Sequence, residues 1–98
     1  MQFKKPLPHS GETLAEDYLE PLGLSAGALA KQMGLKGRQR IERIVRGQQA
    51  ITADTALRLA RVFPRTSPQY WMNLQASHEL SAAEIETRRE LDAINAIT

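Results

Sequence analysis

Between residues 38 and 46 the chain sets out Arg38, Gln39, Arg40, Glu42, Arg43 and Arg46. If this stretch is a helix, Ile41, Ile44 and Val45 fall on one side, and Arg38, Gln39, Glu42, Arg43 and Arg46 fall on the other. Arginine grips guanine O6 and N7 with two hydrogen bonds, glutamine does the same for adenine, and glutamate accepts from cytosine N4. A helix face that is merely solvated more often mixes lysine and glutamate in i,i+4 pairs. The chemistry expected is therefore base reading by Arg38, Gln39, Glu42 and Arg43, with a plain solvated face as the alternative. Phosphate contacts are expected alongside, from the helix starts at Ser25 and Thr52 and from Arg40, Arg46, Gln48 and Gln49. Simple helix capping is the other role open to Ser25 and Thr52.

Other candidates for chemistry are thin. The two histidines, His9 and His78, stand in separate segments without metal-ligand spacing, so surface or capping roles suit them better than catalysis or metal binding. Glu16, Asp17 and Glu20 read as the solvated outer face of a first helix, because no nucleophile lies near them. There is no cysteine and no phosphate-cradling glycine loop. No nucleophile, base and orienting group can be assembled, so the chain reads as a binding protein without cofactor or metal, not an enzyme.

The elements that must position the 38–46 stretch are all helical in pattern. Ser10 is a candidate N-cap for a first helix with Leu14, Tyr18, Leu19 and Leu22 on one stripe, closed by Pro21 and Gly23 near Glu20. Ser25 opens a second helix carrying Ala26, Leu29, Ala30 and Met33, which Gly34 stops. The short turn Leu35-Lys36-Gly37 leads into the third, Arg38 to Arg46, ended by Gly47. Thr52 caps a fourth, Ala53 to Phe63, expected to bury Ala56, Leu57, Ala60 and Phe63 ahead of Pro64. Ser67 and Pro68 open a fifth, with Tyr70, Trp71 and Leu74, running to about His78. Tyr70, Trp71 and Leu74 suit core packing or a dimer interface. From Ser81 the chain stays helix-prone but weakly amphipathic, with Ile94 and Ile97 near a fraying end.

Ninety-eight residues with 42% hydrophobic content make one domain, 1–98, with the helix-turn-helix pattern at 25–47 and an extension at about 81–98. The net charge of +2 conceals an asymmetry. Residues 31–65 carry nine cations against Glu42 and Asp54, whereas the segments before and after are net acidic. A basic centre between acidic ends points to a polyanion partner at the centre. No apolar run is long enough to cross a bilayer, and the start Met1-Gln2-Phe3-Lys4-Lys5-Pro6 has no apolar segment behind its lysines. A soluble, cytoplasmic protein with no membrane partner is expected.

The string Leu24-Ser25, Leu29-Ala30, Met33-Gly34, Ile41, Ile44, Gly47 resembles the helix-turn-helix of the Xre/Cro family. The run from Ile51 to Ala60, together with His9-Ser10-Gly11-Glu12, Leu19 to Ser25 and Ser67 to Gln75, is similar to the HigA (VapI) antitoxin branch, in register over roughly residues 8–80. The resemblance implies an all-α, five-helix, lambda-repressor-like domain that dimerises and represses its own operon. It also implies a HigB-like RNase toxin as partner, and it carries base reading onto Arg38, Gln39 and Arg43, with Glu42 beside them. Two spacings depart from the family. Gly34 to Ile41 is one residue longer than usual, which lengthens the turn, and Pro64-Arg65-Thr66 is one longer as well. A stand-alone regulator without a toxin and a helical protein-interaction module that ignores DNA are the competing readings.

Overall fold

Among the described residues, which in this computed structural model are 3–98, seven helices and one wide helical turn form and no strand does. The first helix is not capped by Ser10. His9 takes the N-cap position: its Nδ1 accepts the Gly11 N–H at 2.9 Å, while Glu12 reaches back to the His9 N–H at 3.3 Å. This reciprocal arrangement satisfies two amides that the first turn would otherwise leave open. Ser10 is fully buried instead, as the first residue of α1 (Ser10–Thr13).

Pro21 does not end this helix, as the sequence pattern suggested it would. The chain widens into a π-helical stretch, Leu14–Leu19, and continues as α2 (Glu20–Leu22), closing at Gly23 with φ 60°. Proline lacks an N–H and its ring crowds the carbonyl four residues back; a wide turn just ahead of it relieves both problems. Leu14 and Leu19 are buried, but Leu22, placed on the same stripe by sequence, is 63% exposed.

Ser25 caps α3 (Ala26–Gln32) through its hydroxyl, which accepts the Ala28 N–H at 3.1 Å. After the turn comes α4 (Gln39–Val45), with Arg38 and Arg46 at its two cap positions. Thr52 sits at the N-cap of α5 (Ala53–Val62), yet its hydroxyl makes no capping bond to the helix backbone. Along α5 the buried stripe is Thr55, Ala56 and Leu59; Leu57, expected in the core, is 57% exposed, and Ala60 and Phe63 are half-buried. Leu59 takes the core position instead, because both leucines fit a helical repeat and only the helix rotation separates them.

The fifth rod is much longer than expected. α6 (Pro68–Glu86) starts on a Ser67 cap, with Oγ accepting the Tyr70 N–H at 3.0 Å, and runs past His78 before α7 (Arg88–Asp92). Its continuation has a visible cause. Ser81 is fully buried and accepts the Leu7 N–H at 2.8 Å, and His78 donates Nδ1–H to the Leu7 carbonyl at 2.7 Å. The extended arm before α1 thus lies along α6, and Arg88 holds its start by donating to the Phe3 carbonyl. These partners give the helix a packed side that its own weak periodicity did not advertise.

The core joins Leu14 and Leu19 to Leu29 of α3 and Met33 at its C-cap, Ile41 and Ile44 of α4, Ala56 and Leu59 of α5, and Trp71 of α6. Trp71 is fully buried, so of the two roles open to it the core one holds, and it has no surface to present to a second copy. Its indole N–H donates to Thr66 Oγ1 at 2.8 Å, and its ring centroid lies 5.0 Å from that of Tyr18. Burial of an indole is tolerated because its one donor is satisfied, and the loop between α5 and α6 supplies the acceptor. Tyr70 and Leu74 remain half-buried.

Candidate nucleic-acid interface

α4 is held from behind and left open in front. Ile41 and Ile44 are fully buried and Val45 half-buried, which fixes the helix rotation. That rotation exposes Gln39 and Arg43, together with Arg38 at the N-cap, its side chain 69% exposed. Glu42 is half-buried, and one carboxylate oxygen lies 3.5 Å from Arg38 Nε, one turn back along the helix. The four residues expected to read bases therefore share one face, and Glu42 orients Arg38 upon it.

A glycine contact supports the rear. Gly11 is buried, and a Cβ placed on it would overlap the Ile44 carbonyl, so only glycine lets the first turn of α1 lie directly against the last turn of α4. The same carbonyl accepts the Gly47 N–H at 3.0 Å, which closes α4 at a glycine with φ 74°. Next to this contact, the buried Gln75 of α6 accepts from Ser10 Oγ at 2.5 Å and from the Ile51 N–H at 3.0 Å. One amide oxygen thereby ties α1, the segment leaving α4, and α6 together.

The flank toward α5 is polar. Arg40, expected at a phosphate, turns to α5, where its Nη1 lies 2.6 Å from Asp54 Oδ2. Arg58 donates Nε to the same oxygen at 3.0 Å and Nη1 to the Met33 carbonyl at 2.7 Å. Hydrogen bonds from Arg40 first, then Arg58, hold the Asp54 carboxyl below its ordinary range. Arg40 is thus a cross-link between α4 and α5. Of the other phosphate candidates, Ser25, Arg46, Gln48 and Thr52 are exposed and Gln49 is half-buried.

The turn before α4 adds a residue that sequence reasoning passed over. Lys36 is exposed and, with Gln39, Arg40 and Arg58, lines an open cleft of about 390 Å³ beside α4. The amide of Gln39 folds back over Gly37, into space that any side chain there would occupy. The signal available in the sequence was a lysine in the short turn directly ahead of α4, where an exposed side chain must stand beside the helix.

His9 and His78, far apart in sequence, meet edge to face with ring centroids 4.9 Å apart. They bring no metal cluster with them: no group of three or more metal-ligating His, Cys, Asp or Glu side chains occurs among the described residues. Glu16, Asp17 and Glu20 are exposed, as their solvated reading required. No helix among the described residues is long and apolar enough to cross a membrane.

Two helices joined by a short turn, the second packed behind and charged in front, define a helix-turn-helix domain. The helix-turn-helix family pattern matches residues 16–71. Virulence-associated protein I of Dichelobacter nodosus is 52% identical over 79 residues, covering 81% of this chain and 71% of that protein. Antitoxin HigA-1 of Vibrio cholerae is 36% identical over 70 residues, covering 71% of this chain and 64% of that protein. Among solved structures, the Pseudomonas aeruginosa antitoxin HigA with the higBA promoter superposes with a TM-score of 0.86 at 35% identity, covering 96% of this chain and all of that one. The chain belongs to the helix-turn-helix family, in the branch that holds virulence-associated protein I and the HigA antitoxins.

Proposed function

We propose that this chain is a dimeric, sequence-specific DNA-binding repressor of its own operon, acting in the cytoplasm by binding, not catalysis. The observation that carries this reading is the solvent-facing front of α4, where Arg38, Gln39 and Arg43 stand free of the core while Ile41 and Ile44 lock the helix behind them. Such a helix fits the width of a major groove, and two copies related by a two-fold axis reach half-sites about 34 Å apart. Arg46, Gln48 and Lys36, with the helix starts at Ser25 and Thr52, flank the face as phosphate contacts and supply the salt-dependent share of affinity. A relative bound to promoter DNA supports the assignment.

The second copy is assigned to the open apolar hollow that Leu7, Leu80 and Leu91 line together, each at least 39% exposed, with the half-buried Tyr70 and Leu74 elsewhere on α6. A HigB-like toxin is the proposed second partner, and the HigA relatives carry that step. The acidic ends, residues 10–20 and 79–92, suit a cationic RNase. Co-expression with the neighbouring small reading frame tests it: recovery of the chain alone refutes the toxin partnership.

A footprint on the DNA immediately upstream of the coding sequence tests the repressor reading. Arg43→Ala is expected to lose about 1–3 kcal/mol of specific binding and to relax one base position. An unchanged footprint and affinity in that variant would remove Arg43 from the reading face.

A further inference from the structure

We propose that His9 and His78 form an acid-sensitive latch behind α4, so that protonating His9 loosens the reading helix and weakens operator binding. The proposal rests on the repressor reading for its consequence, and on geometry for its mechanism. The His9 ring lies between two elements far apart in sequence: His78 of α6 on one side, and the Gly47 turn at the end of α4 on the other, 3.9 Å from its ring to the position of a Cβ built on that glycine.

The hydrogen bonds fix which form of each ring the fold requires. A backbone amide only donates, so His9 Nδ1, accepting from Gly11, carries no proton. A carbonyl only accepts, so His78 Nδ1, facing the Leu7 carbonyl, does carry one. Protonation of His9 at Nδ1 sets an N–H against the Gly11 N–H and breaks the cap. Gly11 is the residue whose backbone lies directly on the Ile44 carbonyl, and that carbonyl closes α4 through Gly47. Loss of the cap is thereby transmitted over two contacts to the last turn of the reading helix.

The charged groups around the ring set the direction. His78 faces it from α6 and opposes a second positive charge, while Glu12 of α1 and Glu79 of α6 favour one; Lys5 of the arm shares the adjoining hollow, and the α4 turn contributes Gly47, which is uncharged. Partial burial, then His78, outweigh the two glutamates and hold His9 below the ordinary histidine value of 6.5. The neutral, capping form is thus the stable one near neutrality, and the latch opens on mild acidification.

The test is operator affinity of the full chain on its own upstream duplex, measured from about pH 7.5 down to about pH 5.5, a range that spans histidine titration. The wild type is expected to lose affinity by up to about fivefold, the limit set if the whole cost of one helix cap reaches the reading helix. His9→Asn retains a capping oxygen that does not titrate, and its profile is expected to be flat. Equal profiles for the two proteins, or a flat wild type, overturn the proposal. His78→Asn keeps an amide donor near the Nδ1 position that faces Leu7 and removes the imidazole that disfavours a charge on His9, so its loss of affinity moves to higher pH; an unmoved midpoint also counts against the latch. In DNA-free protein, the Gly11 and Gly47 amide resonances must titrate together with the His9 ring. If the duplex is not bound even at the upper pH, the repressor reading fails, and those resonances alone decide the latch: co-titration sustains it, and still amides refute it.

Discussion

α4 is held on two sides by opposite kinds of chemistry. Toward α1 and α6 the contacts are dry: Gly11 lies on the Ile44 carbonyl, and Gln75 is 4% exposed with two donors on one oxygen. Toward α5 they are wet: Arg40, Asp54 and Arg58 meet in an exposed network, with side-chain exposures of 36%, 55% and 39%. The dry side has no substitute for its partners once they are lost, because water does not replace them. On the wet side each charge regains hydration when its partner goes, so the network sets orientation more than stability. The reading helix is therefore anchored from behind and aligned from the flank.

The sharpest test of this contrast is Gln75→Leu. It fills nearly the same volume but leaves Ser10 Oγ–H and the Ile51 N–H without an acceptor, each buried loss being about 1–3 kcal/mol. A fall of about 2–4 kcal/mol in urea-unfolding stability is expected on the same basis. A neutral outcome would mean that the dry side is not dry. Gly11→Ala ranks next. A Cβ overlapping backbone cannot be relieved by rotating a side chain, so α1 must back away from α4, at about 1–3 kcal/mol by analogy with overpacked cores. Circular dichroism melts and the urea midpoint measure it. Weaker operator binding at temperatures where the variant is folded would show that the displacement reaches the reading face.

How much of this was legible beforehand follows from the range of the interactions. The helix pair, its turn and the outward face of α4 are local: Ser25, Gly34, Ile41, Ile44 and Gly47 mark caps, stops and a buried stripe within a few residues of one another. The supports behind α4 are not. Ser10 and Gln75 are 65 residues apart, and Leu7 and Ser81 are 74 apart. Nothing in the periodicity around Gln75 or Ser81 says that a polar residue there is buried, because its partner lies at the other end of the chain. The same distance hid the meeting of His9 with His78. Local rules also misplaced Ser10 as the cap, since histidine is a rare choice and its suitability depends on the glutamate three residues later. Pro21 misled for another reason: it does break an ordinary helical ladder, and the wide turn before it is a tertiary accommodation. Trp71 suits core or interface by type alone, and only its full burial, with the indole N–H donating to Thr66 Oγ1, places it in the core.

The smallest effect expected is on the wet side, and it separates charge from shape. Asp54→Asn keeps the side-chain outline and removes the charge that draws Arg40 and Arg58 together. The Asp54 carboxyl is held below its unfolded value of 3.8 by hydrogen bonds from Arg40, then Arg58, so the folded state binds its proton less readily than the unfolded chain does. Its contribution is consequently complete above that value and drains away as the pH falls through the lower folded-state one. At neutral pH the variant should melt slightly below the wild type. The gap should narrow with added salt, which screens exposed charges, and should close in strong acid, where the wild-type carboxyl is itself neutral. The Gly11→Ala deficit, being steric, should persist across the same pH range. If the Asp54→Asn gap also persisted into acid, the flank would owe its rigidity to shape, and the division between a dry anchor and an electrostatic guide for α4 would have to be abandoned.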